Sequence, residues 1–221
     1  MPAVGCYVKV EIWSDVVCPW CYVGKQRFES AVAAFPHPVE ITYRSFELDP
    51  SAPTGGGHKT VDWLASRYGG PERVAEMQVQ VRGLGLAEGL DLRLDETFYV
   101  NTVDAHRLLH LALASGGREL QSRLNDAFLD ANFTHVLDLS DHATLRHLAV
   151  EAGLDAAEVD DVLTTARYRD AVAADIDQAR AYGANGVPFF VFEDAYAVSG
   201  AQPTEVFAQV LDQVWNARSA S

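Results

Sequence analysis

Cys18-Pro19-Trp20-Cys21 sets two thiols two residues apart, at the junction between a strand pattern and a helix pattern. Tyr7 to Trp13 (YVKVEIW) alternates as a strand does, and Gln26 to Phe35 (QRFESAVAAF) has three-and-four spacing. With Cys18 at the N-cap, Pro19 falls at N1, where its missing N–H costs nothing, and the N–H of Cys21 is predicted to point at the Cys18 sulfur. The helix macrodipole adds roughly 0.3 to 1 kcal/mol in favour of an anion there. Cys18 is therefore expected to be the accessible nucleophile, and Cys21, one turn inside and shielded, the thiol that resolves its mixed disulfides.

Other uses of a CxxC stand beside this one. Structural zinc needs four ligands, whereas the chain offers one CxxC, the remote Cys6 and seven scattered histidines with no second pair at metal spacing. No metal is expected. Two inert core cysteines are the plainer alternative, although Pro-Trp at a helix start suits a core turn poorly. The second feature lies far away: Gly183 to Phe192 (GANGVPFFVF) runs a Gly-Val-Pro loop into an apolar strand. Pro188 there is either an edge device or the site of a cis Val187-Pro188 bond that holds strand backbone beside the reactive sulfur. In the second case the Val187 N–H and C=O are open to an extended substrate.

The rest of the chain reads as strand, CxxC helix, strand, a long helical block, hairpin and final helix. Val39 to Leu48 alternates as the second strand, and Asp49 to Gly57 (DPSAPTGGG) is an exit loop. Helical spacing covers His58–Tyr68, Pro71–Leu84, Val103–Ala114, Glu119–Asn132, His142–Ala152 and Arg169–Tyr182. Ser140 and Asn101 are expected as N-caps, and Gly153 and Gly183 as stops. Phe189–Phe192 and Tyr196–Val198 form a hairpin, and Pro203 opens a last helix to about Trp215. Residues 1–52 with 184–221 are expected to form one α/β domain, and 58–183 a helical insertion folded as a lid over the dithiol.

Composition bounds the partners. At 221 residues and 48% apolar the chain can bury a full core, and its net charge of −14 repels nucleic acid and anionic membrane. The opening residues carry no basic-then-apolar leader, so a soluble cytoplasmic protein is expected. In that reducing setting three cysteines leave one plausible disulfide, Cys18–Cys21, with Cys6 an ordinary small apolar residue.

Three polar residues near the motifs have candidate roles. Asp15 either tunes the thiol pKa and takes the Cys21 proton, or stabilises the turn. His106 is expected to face the substrate groove and favour the thiolate, and His110 follows it at i+4. Trp20 either projects at the groove rim to meet an apolar substrate or packs over the helix start.

Trp13 to Gly24 (WSDVVCPWCYVG), Asn101 to Leu108 (NTVDAHRL), Gly186 to Phe190 (GVPFF) and Val198 to Pro203 (VSGAQP) together resemble the DsbA superfamily, in its FrnE-like branch. That branch is related to 2-hydroxychromene-2-carboxylate isomerases and kappa-class glutathione transferases. The resemblance implies a thioredoxin-like fold with a large helical insertion, and dithiol–disulfide exchange through Cys18 and Cys21. Pro188 would keep the sulfurs from rearranging or capturing metal. It implies no required cofactor, with glutathione admitted as a ligand, a protein or small-molecule thiol or disulfide as substrate, and a monomer or homodimer. A glutathione-dependent isomerase or transferase is the alternative. Against it, such relatives carry serine where this chain has Cys18, and Gly-Ser-Asp where it has Ser199-Gly200-Ala201-Gln202. A non-catalytic binding or chaperone module is the third reading, and it has no use for two thiols.

Overall fold

A computed structural model describes residues 7–55 and 57–219. Cys6 lies outside the described residues. Strand β1 (Val8–Ser14) leads through the CxxC turn into helix α1 (Pro19–Ala34), and β2 (Val39–Ser45) follows. Six helices come next: α2 (Thr60–Tyr68), α3 (Pro71–Ala87), α4 (Val103–Phe133), α5 (His142–Ala152), α6 (Ala156–Thr164) and α7 (Arg169–Ala181). The chain closes with β3 (Phe189–Phe192), β4 (Tyr196–Ser199) and α8 (Thr204–Ser219). The sheet order is β2-β1-β3-β4, with β1 parallel to β2 and antiparallel to β3. This is the expected α/β thioredoxin-like plan, with helices inserted between its second and third strands.

Strand alternation sorts the sheet's two faces. Val8, Val10 and Ile12 of β1, with Phe190 and Phe192 of β3, pack on Phe28 of α1 and on Phe207, Leu211 and Val214 of α8. Phe28 sits at the centre, its ring 5.4 to 6.0 Å from those of Phe190, Phe207 and Phe192. The opposite face carries Trp13, Phe189 and Val191 against Ala179 of α7 and Ala184 just beyond it. A separate apolar centre joins α4, α5 and α6, and Val16 of the CxxC turn reaches into it. No helix among the described residues is long and apolar enough to cross a membrane.

Several local expectations shift. The two segments predicted around Val103–Ala114 and Glu119–Asn132 form one run broken at Gly117, whose φ of 70° and ψ of −165° suit glycine alone. Helix α6 was not anticipated, although Asp155 caps it by accepting from the N–H groups of Ala157 and Glu158. Asp141, not Ser140, caps α5 by accepting from the Thr144 N–H. Thr102 is the N-cap of α4, and Asn101 accepts from the Val103 N–H one step outside it.

Strand β2 lies at the sheet edge, and helical side chains take its unpaired backbone groups. Gln121 of α4 accepts from the Tyr43 N–H at 3.0 Å and donates to the Tyr43 carbonyl at 2.9 Å. Asp175 of α7 accepts from the Ser45 N–H at 2.9 Å. A buried edge left without such partners would lose about 1–3 kcal/mol per orphaned group. Gln121→Ala is therefore expected to cost about 2 kcal/mol in denaturant unfolding and to lower Tm by about 4–8 °C.

Candidate active site

The end of β1 sets the dithiol. The Asp15 carbonyl accepts from the Cys18 N–H at 3.0 Å and closes a turn. Cys18 is extended, with φ −93° and ψ 113°, and Pro19 starts the helix. The position is the expected N-cap, but the expected bond to sulfur is absent. The N–H groups of Cys21 and Tyr22 turn instead to the Cys18 carbonyl, at 3.0 and 3.4 Å. The sulfur makes a different contact, with the Cys18 thiol 3.6 Å from the carbonyl oxygen of Val187. The Val187-Pro188 peptide bond is cis.

Residue 24 permits this approach. A Cβ at Gly24 would stand 2.9 Å from Pro188 Cγ and 3.2 Å from Ala201 Cα, so a side chain here would push the β3 entrance away from α1. Gly24 was not singled out from the sequence, and only its place one turn past Cys21 could have marked it.

Both cysteines are unbridged, and burial does not separate them: Cys18 is 3% exposed and Cys21 2%. The expected accessible Cys18 is thus corrected to a covered one, enclosed by the Val187 backbone and the walls of the turn. The two differ in surroundings. Burial above all, and then the hydrogen bond and charge of Cys18, push the Cys21 thiol well above its ordinary range, against the pull of the Ser14 hydroxyl and the Asp15 backbone.

Asp15 and His106 meet beneath the turn. The His106 Nε2 lies 3.4 Å from Asp15 Oδ1, and both side chains are 1% exposed. The other Asp15 oxygen accepts from the Leu48 N–H at 2.8 Å, which ties the exit of β2 to the dithiol loop. Glu47 stands beside this pair and was missed from the sequence. Burial pushes its carboxyl up, while the His106 charge and the Asn101 amide at 3.2 Å draw it down. His110 points elsewhere, to Asp175 at 3.0 Å, and so makes no pair with His106. No group of three or more metal-ligating side chains gathers among the described residues. Trp20 is half-buried and packs against the cluster of Val23, Val81, Leu90 and Leu92, so packing over the helix start is what the structure favours.

A thioredoxin-like sheet, a CxxC at the head of α1 and a Val-Pro bond against its first sulfur define the thioredoxin-like class. Residues 9–212 match the DsbA-like thioredoxin domain, and the chain belongs to that family. A probable DsbA oxidoreductase from Streptomyces coelicolor shares 47% identity and superposes with a TM-score of 0.88, over 95% of this chain and 90% of that one. The uncharacterized protein YwbO of Bacillus subtilis is 26% identical over 92% of this chain and 96% of its own length. A 2-hydroxychromene-2-carboxylate isomerase shares the fold at 15% identity, with a TM-score of 0.70 over 96% of this chain and 98% of its own.

Two outcomes follow from this geometry. Gly24→Ala is expected to destabilise the protein by about 1–3 kcal/mol and to slow any reaction at Cys18, because overpacking at Pro188 is backbone-limited. Unfolding curves and single-turnover rates check both. In alkylation of the reduced protein across a pH series, Cys18 is modified before Cys21. Because the folded Cys21 pKa is raised, its contribution to stability is full below the unfolded thiol value of about 8.5 and is lost as pH rises beyond it.

Proposed function

We propose that the protein is a dithiol–disulfide oxidoreductase in which Cys18 exchanges with a thiol or disulfide substrate and Cys21 resolves the mixed disulfide. The observation that carries this reading is the 3.6 Å approach of the Cys18 thiol to the Val187 carbonyl, with a second thiol held neutral behind it. Attack by the Cys18 thiolate on a substrate disulfide forms one S–S bond and expels one thiolate. Cys21 then attacks Cys18, releases the second thiolate and leaves the Cys18–Cys21 disulfide; oxidation of substrate thiols runs the same steps in reverse. Backbone at Val187 would hold an extended substrate, and Pro188, lacking an N–H, would present only its ring to the sulfur.

Asp15 and His106 serve this chemistry in the reading as an acid–imidazole pair that biases the thiol charge, supported by their 3.4 Å approach. The substrate is a thiol or disulfide of a protein or small molecule, glutathione included, in a cytoplasmic setting where three cysteines leave a single redox pair.

Turnover in an insulin-reduction assay tests the reading. Cys18→Ser is expected to fall to the uncatalysed background. Cys21→Ala should retain the first step and accumulate a mixed disulfide visible by mass spectrometry. Undiminished turnover in Cys18→Ser would remove the dithiol from the mechanism.

A further inference from the structure

Val187 stands outside the ladder that holds the rest of β3. The last pairs join Phe189 to Trp13 of β1 on one side and to Ser199 of β4 on the other. Beyond them Val187 and Pro188 run on toward Cys18, and Pro188 has no N–H to offer a neighbouring strand. A backbone bond from the turn after β4 ties this end down: the Pro188 carbonyl accepts from the Gly200 N–H at 2.8 Å. The 199–202 turn thus carries the strand entrance that faces the thiol.

That turn is closed from two sides. Within it, the Gln202 N–H donates to the Gly200 carbonyl at 2.9 Å, and the Gln202 side-chain amide donates to the Ser199 carbonyl at 2.8 Å. Across from it, Arg27 of α1 donates from Nη1 to the Ala201 carbonyl at 2.8 Å and from Nε to Glu88 Oε1 at 2.7 Å. Arg27 lies three residues past Gly24 on the same face of α1. The glycine that lets Pro188 and Ala201 approach and the guanidinium that holds the turn therefore act at one contact. Glu88 is the C-cap residue of α3. The side chains of Arg27 and Glu88 are 12% and 20% exposed, so the pair is shielded and its charge-assisted bonds are stronger than those of a solvated surface pair.

Resting on the exchange reaction proposed above, we infer that Arg27 is a positioning residue for that reaction. Held by Glu88, it fixes the Ala201 carbonyl, and through Gly200 and Pro188 it keeps the Val187 backbone where the Cys18 thiol meets it. It acts through the backbone and not at the sulfur. An edge held in this way serves a substrate that pairs with it, namely an extended peptide segment carrying a disulfide, whereas a small reagent needs the sulfur alone. Loss of the clamp removes the aligned edge and uncovers Cys18, which is 3% exposed with Val187 against it. The two kinds of reagent then respond in opposite senses.

The test compares two reagents on the reduced protein. One is a short acetylated and amidated peptide whose central cysteine carries nitrothiobenzoate as a disulfide. The Cys18 thiolate attacks the peptide sulfur, the Cys18–peptide disulfide forms, and nitrothiobenzoate leaves with the electron pair as a coloured thiolate. The other is iodoacetamide, followed by peptide mapping that scores Cys18 and Cys21 separately. Arg27→Met is expected to slow coloured release about 10-fold, as misplacement of the docking edge does. Iodoacetamide should modify Cys18 in that variant at least as fast as in wild type and leave Cys21 protected. Glu88→Gln, which keeps an acceptor for Arg27 and removes the charge that anchors it, is expected to show a smaller loss in the same direction, and it decides the matter should Arg27→Met not fold. Peptide rates equal to wild type in the folded variants would overturn the assignment. Equal slowing with both reagents, or modification of Cys21 alongside Cys18, would also overturn it by showing a general loosening. If wild type is modified at Cys18 by iodoacetamide yet releases no nitrothiobenzoate from the peptide, it is the exchange reading that fails, and the role of Arg27 falls with it.

Discussion

The sheet has to end at β2 inside the protein, and the satisfaction of that buried edge governs much else. Backbone N–H and C=O groups at Tyr43 and Ser45 cannot be left unpaired away from water. Gln121 and Asp175 pair them with side-chain groups at hydrogen-bond distance. A helix bound in this way cannot slide along the strand. Once Gln121 is in register with Tyr43, the neighbouring positions of α4 are determined, and Asn125 and Asp126 fall one turn further on, beside α1.

The same helix brings His106 to Asp15 near its other end. The break at Gly117 makes both contacts compatible, because a straight 31-residue helix would carry its two ends far apart. The helical block supplies His106 to Asp15 and Asp126 to Lys25. Cys18 meets the carbonyl oxygen of Val187, whereas Cys21 is buried beside Cys18, the Ser14 hydroxyl and the Asp15 backbone. That asymmetry gives two chemically identical side chains different surroundings.

Much of this protein was legible in its residues. Cys18, Pro19 and the flanking strand and helix patterns placed a thiol at an N-cap, because capping and proline geometry are local matters settled within a few residues. Val187-Pro188 ahead of four apolar residues marked the β3 entrance, and the alternation of β1 named both faces of the sheet. The order of elements, with helices between the second and third strands, followed from periodicity alone.

Contacts between distant segments were decided only by the tertiary structure. The bond expected at the Cys18 sulfur is not made: the helix N–H groups of Cys21 and Tyr22 donate to the Cys18 carbonyl, and the thiol donates to the carbonyl of Val187, 169 residues away. Trp20 packs inward because α3 and the 90–94 segment supply an apolar surface that no local pattern announces. Gly24 matters for a clash with Pro188, and Lys25 for two carboxylates, one of them on another helix. Sequence by itself determined which residues could do chemistry and which elements would carry them, because those depend on short-range geometry. Which groups share a buried space, and hence which thiol stays protonated, depends on packing at long separation, and only the folded chain decides that.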